Sequence, residues 1–107
     1  EKIAYDALQK HTSVDAVFAS SDMIAFGVLK AANRLKIDVP NDLQVIGFDG
    51  IALGAIVTPG LTTIAQDIYA LGETAANMLV TLIKGETLQQ EHQMIATKLV
   101  IRETTKE

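Results

Sequence analysis

Two aspartates, each closing a short apolar run, are the side chains of this sequence best placed to do chemistry. The first run reads DAVFASSD (15–22) and the second VPNDLQVIGFD (39–49). Each ends in a small polar cluster, Ser20-Ser21-Asp22 and Asp49-Gly50. A carboxylate can accept two hydrogen bonds from adjacent hydroxyls, which is what a polyol offers. If the two runs are parallel strands joined by one helix, both clusters emerge at the same sheet edge. Open α/β sheets bind small molecules at that edge. Asp49, Ser21 and Asp22 are therefore the expected ligand contacts.

Structural roles stand beside these. Ser21 and Asp22 are suited to capping the helix that begins there. Asp49 with Gly50 can form an Asx-type turn. A capped helix is also a rigid platform, so capping and ligand contact are compatible.

Catalytic chemistry finds no foothold. The sequence holds no GxSxG elbow, P-loop or GxGxxG. His11 and His92 lie in polar, loop-like surroundings without an i+4 partner for a metal. Zero cysteines exclude disulfides, thiol nucleophiles and cysteine-based zinc sites. No cofactor, metal or enzymatic activity is expected.

The totals narrow the class further. A chain of 107 residues, 49% hydrophobic, suits one small domain with a real core. Aromatics are 5% with no Trp, which argues against a stacking platform for bases or sugars. A net charge of −4 is opposite to that of a lone nucleic-acid-binding module. No apolar run approaches the roughly 18 residues of a membrane span, and the opening residues do not read as a signal peptide. Glu1 falls inside a helix-like segment with no cap before it, so the chain is expected to be a piece of a longer protein.

The elements that must position the aspartates follow from periodicity and punctuation. Residues 1–10 read as the end of an amphipathic helix, with Ile3, Ala4, Ala7 and Leu8 at helical spacing. Ala16–Ala19 reads as a strand covered on both faces. A helix then runs to about Lys36, with Ala25, Val28, Leu29, Ala32 and Leu35 on one face. Gly27, costly in a helix interior, suggests close packing there. Leu43–Phe48 and Leu61–Gln66 read as further strands, with a single helical turn between them in Ile51–Val57. Asp67 caps the longest helix, which Gly85 stops after Lys84. Its apolar stripe is Ile68, Leu71, Ala75, Met78, Leu79 and Leu82. Met94–Arg102 reads as one or two terminal strands. Ile51, Leu53, Ile56 and Val57, with Phe26, form an apolar group that is either ordinary core or a surface for a partner. The fold class is α/β: an incomplete, Rossmann-like, three-layer parallel-sheet unit.

Five stretches in this order and spacing resemble the lactose-repressor/galactose-repressor family of bacterial transcription regulators. They are FASSDMIAFGVLKA (18–31), VPNDLQVIGFD (39–49), TPGLTTIAQD (58–67), LGETAANML (71–79) and RETT (102–105). The resemblance covers nearly the whole chain. It implies a periplasmic-binding-protein-like fold of two similar subdomains with effector in the cleft between them. This chain would be the C-terminal part of that effector-binding domain, without the DNA-binding headpiece, the N-terminal subdomain or the first strand of its own subdomain. By resemblance, Asp49 matches the family's effector-binding aspartate, and Ser21 stands where members often carry an effector-contacting Asn. Gln66 and Asp67 would lie near the hinge, with Gln66 among the ligand contacts. Phe26, Ile56 and Val57 match positions that pack across the dimer interface. Two departures are Gly50, in place of a frequent Asp or Asn, and Gly60, in place of a frequent Pro or Ala.

The function so implied is a cytoplasmic, homodimeric regulator. It would sense a sugar or a nucleoside or purine and control operator binding allosterically, touching DNA only through the headpiece. A periplasmic sugar-binding protein of a transport system is the alternative. The TPGLTTIAQD and RETT stretches favour the regulator.

Overall fold

A computed structural model describes residues 1–106. Helix α1 spans Lys2–Lys10, strand β1 Ala16–Phe18, helix α2 Asp22–Arg34 and strand β2 Gln44–Asp49. A 3-10 turn covers Ala52–Ala55, followed by β3 (Thr62–Ala65), α3 (Ile68–Ile83) and β4 (Lys98–Val100). The chain forms two compact units, one of Glu1–Ala65 with the stretch from Lys98 onward, the other of Gln66–Thr97.

The first unit holds the whole sheet, in the order β1-β2-β3-β4. β1 pairs with β2 and β2 with β3 in parallel, while β4 returns antiparallel to β3. The expected α/β class and parallel β1–α2–β2 unit are present. The Met94–Arg102 region yields one short strand, β4.

The core of this unit is built on small residues. Ala25, Ala31 and Ala32 of α2 are fully buried, as are Leu43, Val45 and Leu61. Small side chains let α2 lie close on β2. Gly27 serves the same end against α1: a Cβ there would sit 3.0 Å from the backbone nitrogen of Glu1. Glu1 in turn bridges Lys30 and Arg34 at 2.9 Å each. Hydrogen bonds from Lys30 and Arg34 hold its carboxyl below the usual glutamate range.

Helix ends explain two boundaries. α2 stops at Arg34 because Lys36 takes φ +57°, and the N–H groups of Lys36 and Ile37 donate back to the carbonyls of Asn33 and Ala32. This is a Schellman closure made without glycine. α3 closes the same way at Gly85 (φ +75°), with Gly85 and Glu86 donating to Leu82 and Thr81.

One expectation about burial is corrected. β1 is not covered on both faces: Ala16 is exposed, Phe18 is 62% exposed, and Val17 alone packs toward the core. Its apolar run follows a period-2 alternation, with Val17 and the buried Ala19 toward the core, and among the described residues β1 is the edge of the sheet. The apolar stripe of α3 is exposed within its own unit. None of its residues is buried, and Leu71, Leu79 and Leu82 are each at least half exposed. The second unit, one helix with its following loop, has no element of its own to close over that face.

The RETT stretch is a clamp on the strand starts. Fully buried Thr104 accepts from the Thr62 N–H at 2.8 Å and donates its hydroxyl to the Val45 carbonyl at 2.7 Å. Its backbone bonds Gly60 and Val45. Arg102 reaches the Leu61 carbonyl at 2.6 Å, and Glu103 accepts from the Gly60 N–H at 2.7 Å. Gly60 is buried beneath these two side chains, whose carbons and carboxylate lie 3.4–3.6 Å from where its Cβ would be. Thr104→Ala leaves two buried backbone groups without partners. It should lower the stability of the full-length protein by about 2 kcal/mol, read by urea unfolding.

Candidate functional site

The edge where β1 and β2 end is assembled from the first turn of α2 and the corner after β2. Ser21 is the N-cap of α2, extended at φ −156°, and its Oγ accepts from the Ile24 N–H at 3.3 Å. It remains partly exposed. The capping role is therefore real, and the hydroxyl still borders solvent.

Asp49 ends β2 in register with Ala65 of β3. It is partly exposed and has φ +115°, a conformation that non-glycine residues rarely hold. Gly50 follows at φ +77°. A Cβ on Gly50 would lie 2.5 Å from the Cβ and 2.6 Å from the Cα of Ala65. The chain therefore turns tightly over the end of β3, and only glycine fits. The backbone places Asp49 at the end of β2, at the edge of the sheet.

Asp22 behaves differently from the expectation of a ligand contact. It is 0% exposed. One carboxylate oxygen accepts from the Ile51 N–H at 2.8 Å, and the other from the Thr63 hydroxyl at 2.6 Å. Its carboxylate faces the interior, because β2 offers it room. Gly47 lies beneath it, and a Cβ at Gly47 would fall 2.2 Å from Asp22 Oδ1. A glycine inside an apolar strand is the sequence signal for such a close approach. Thr63 carried no comparable signal, since its role depends on a partner 41 residues away.

The structure thus brings Ser21, Asp22 and the Asp49–Ile51 corner to one edge. Gln66 follows Ala65 directly in the chain but belongs to the second unit, whose helix Asp67 caps by accepting from the Ala70 N–H at 2.9 Å. His11 and His92 are exposed, and among the described residues no cluster of three potential metal ligands forms.

The apolar group on the other flank divides. Leu53 and Ile56 are 43% and 76% exposed, while Ile51, Phe26 and Val57 are partly buried. Phe26 and Val57 pack on the core and help line a recess of about 450 Å³ with Leu29, Ile37, Val39 and Pro59. The group is part core, part uncovered surface. No helix among the described residues is long and apolar enough to cross a membrane.

Comparisons with known proteins agree with this architecture. The periplasmic binding protein-like domain matches residues 1–105. The ribose operon repressor of Halalkalibacterium halodurans is 44% identical over 99% of this chain and 32% of its own length. The chain thus spans about a third of that curated relative. A LacI family transcriptional regulator from Arthrobacter sp. FB24, solved in complex with lactose, is 37% identical, with a TM-score of 0.88 over 98% of this chain and 40% of that one. The lac repressor dimer, solved on operator with the anti-inducer ONPF, is 29% identical, with a TM-score of 0.89 over 97% of this chain and 36% of that one. From sheet order to the RETT clamp, the chain belongs to the periplasmic binding protein-like domain family, and its relatives there are regulators of the lactose-repressor type.

Proposed function

We propose that this chain is the C-terminal part of the effector-binding domain of a bacterial transcriptional repressor that senses a sugar. The observation that supports the reading is the position of Asp49, partly exposed at the end of β2, at the edge where open α/β sheets bind small molecules. Relatives named as a ribose operon repressor and as a regulator in complex with lactose favour regulation over transport. Asp49 accepts hydrogen bonds from sugar hydroxyls, and Ser21 borders the same ligand. Nothing in this chemistry calls for a cofactor or a catalytic step.

The protein works as a cytoplasmic homodimer. Leu53 and Ile56, apolar and uncovered, face the second copy, with the partly buried Phe26, Ile51 and Val57 flanking them. Operator DNA is bound by a segment outside this chain, whose own charge of −4 would repel phosphate. Effector binding and DNA binding are then two sites coupled through subdomain rearrangement.

The test uses the full-length protein and sheared genomic DNA of its source organism. The protein should retain discrete DNA sites. D-ribose, D-xylulose, lactose or a nucleoside, tested singly, should change that retention saturably. Retention of no discrete site, or indifference to the whole panel, would remove the proposal.

A further inference from the structure

We infer that Asp22 is a positioning residue for the effector site: it fixes the corner that carries Asp49 without touching the effector itself. This rests on the reading of Asp49 as an effector contact.

A buried carboxylate is expensive to desolvate, so its retention calls for a physical reason. Its two bonds join three elements. Asp22 sits in the first turn of α2, Ile51 lies two residues beyond Asp49, and Thr63 is in the middle of β3. Thr63 is also the register partner of Gly47 in β2, the residue whose missing side chain gives Asp22 its space. The sheet and the helix start are thus built around this one carboxylate.

What it holds is the part of the edge least able to hold itself. Asp49 and Gly50 carry consecutive positive φ angles, +115° and +77°, so the corner departs from any regular strand or helix. Non-glycine residues persist in such conformations only when their surroundings over-determine them. The Ile51 N–H is the first backbone donor after the two positive-φ residues, and Asp22 receives it at 2.8 Å. A charged acceptor gives a bond roughly twice as strong as a neutral one. If that bond loosens, Asp49 is no longer held in the geometry a sugar needs, although no sugar contact has been removed.

The experiment compares full-length wild type, Asp22→Asn and Thr104→Ala. Asparagine keeps the size of Asp22 and can turn its oxygen to Ile51 and its NH2 to the Thr63 hydroxyl, so the fold is retained with a weaker, neutral acceptor. Thr104→Ala lowers stability at the opposite end of the strands and controls for destabilisation alone. Two quantities are read: amide hydrogen exchange of the segment containing Ile51 without sugar, and the dissociation constant for D-ribose, D-xylulose or lactose, whichever wild type binds.

Asp22→Asn should speed Ile51 exchange and weaken the sugar by about tenfold each, the difference between a hydrogen bond to a charged and to a neutral acceptor. Thr104→Ala should leave both near wild type despite its lower unfolding midpoint. The inference is overturned if the two variants change Ile51 exchange alike, or if Asp22→Asn leaves either Ile51 exchange or the sugar's dissociation constant unmoved. Failure of wild type to bind any sugar would count against the effector reading, while the exchange comparison would still decide the role of Asp22.

Discussion

Asp49→Ala in the full-length protein should weaken effector binding at least about 100-fold, while operator binding without effector stays at its wild-type level. Hydrogen bonds to a charged group contribute about 1.5–3 kcal/mol each. A carboxylate at the sheet rim can accept two from neighbouring hydroxyls, and about 1.4 kcal/mol is a factor of ten. The side chain ends β2 and is partly exposed, so its removal leaves no buried cavity. Asp49→Asn should fall between, because asparagine tolerates a positive φ and keeps one acceptor. Operator anisotropy across a sugar titration separates the two effects. A parallel loss of DNA binding would mean that Asp49 supports the fold, not the ligand.

Gly50→Ala should be the most damaging single methyl that can be added to this edge. An L-residue in the left-handed region carries a penalty of roughly 1–2 kcal/mol. Here the added Cβ would also lie 2.5 Å from the Ala65 Cβ and 2.6 Å from its Cα, and a strand backbone cannot swing aside. Overpacking of that kind costs about 1–3 kcal/mol more, so the expected loss is about 3–4 kcal/mol. Gly85 gives the contrast. Its φ is +75°, but nothing lies within 4 Å of an added Cβ. Gly85→Ala should therefore show the conformational penalty alone, about 1 kcal/mol. Urea unfolding of the two full-length variants checks this. Equal losses would show that close approach to Ala65 is not what fixes Gly50.

Local chemistry was legible in the sequence and non-local chemistry was not. Asp67 as a cap, Gly85 as a stop and the β1–α2–β2 order follow from capping preferences and periodicity within a few residues. Asp49 could be placed at a strand end on the same grounds. Burial is not legible where it depends on what lies alongside. The AVFA run is as apolar as a covered strand, yet Phe18 is 62% exposed while Ala19 is buried, so only one face of the run meets the core. The stripe of α3 reads correctly as amphipathic, but a periodicity does not say what it packs on.

The same limit explains Asp22 and Thr104. Both are polar residues in stretches rich in serine or threonine, and sequence offers capping and turns as their roles. Their partners lie 41 and 59 residues away. Gly47 is the local sign of the Asp22 carboxylate. A glycine between Ile46 and Phe48 in a buried strand indicates that something must approach the backbone, and that something is the Asp22 carboxylate.

The most direct measurement is a crystal structure of the full-length protein with the sugar that alters its DNA retention. Sugar hydroxyls should lie about 2.6–3.2 Å from the Asp49 carboxylate, with Asp22 still buried on Ile51 and Thr63 behind it. A sugar bound elsewhere, with Asp49 in contact with protein alone, would contradict the assignment of this edge as the effector site.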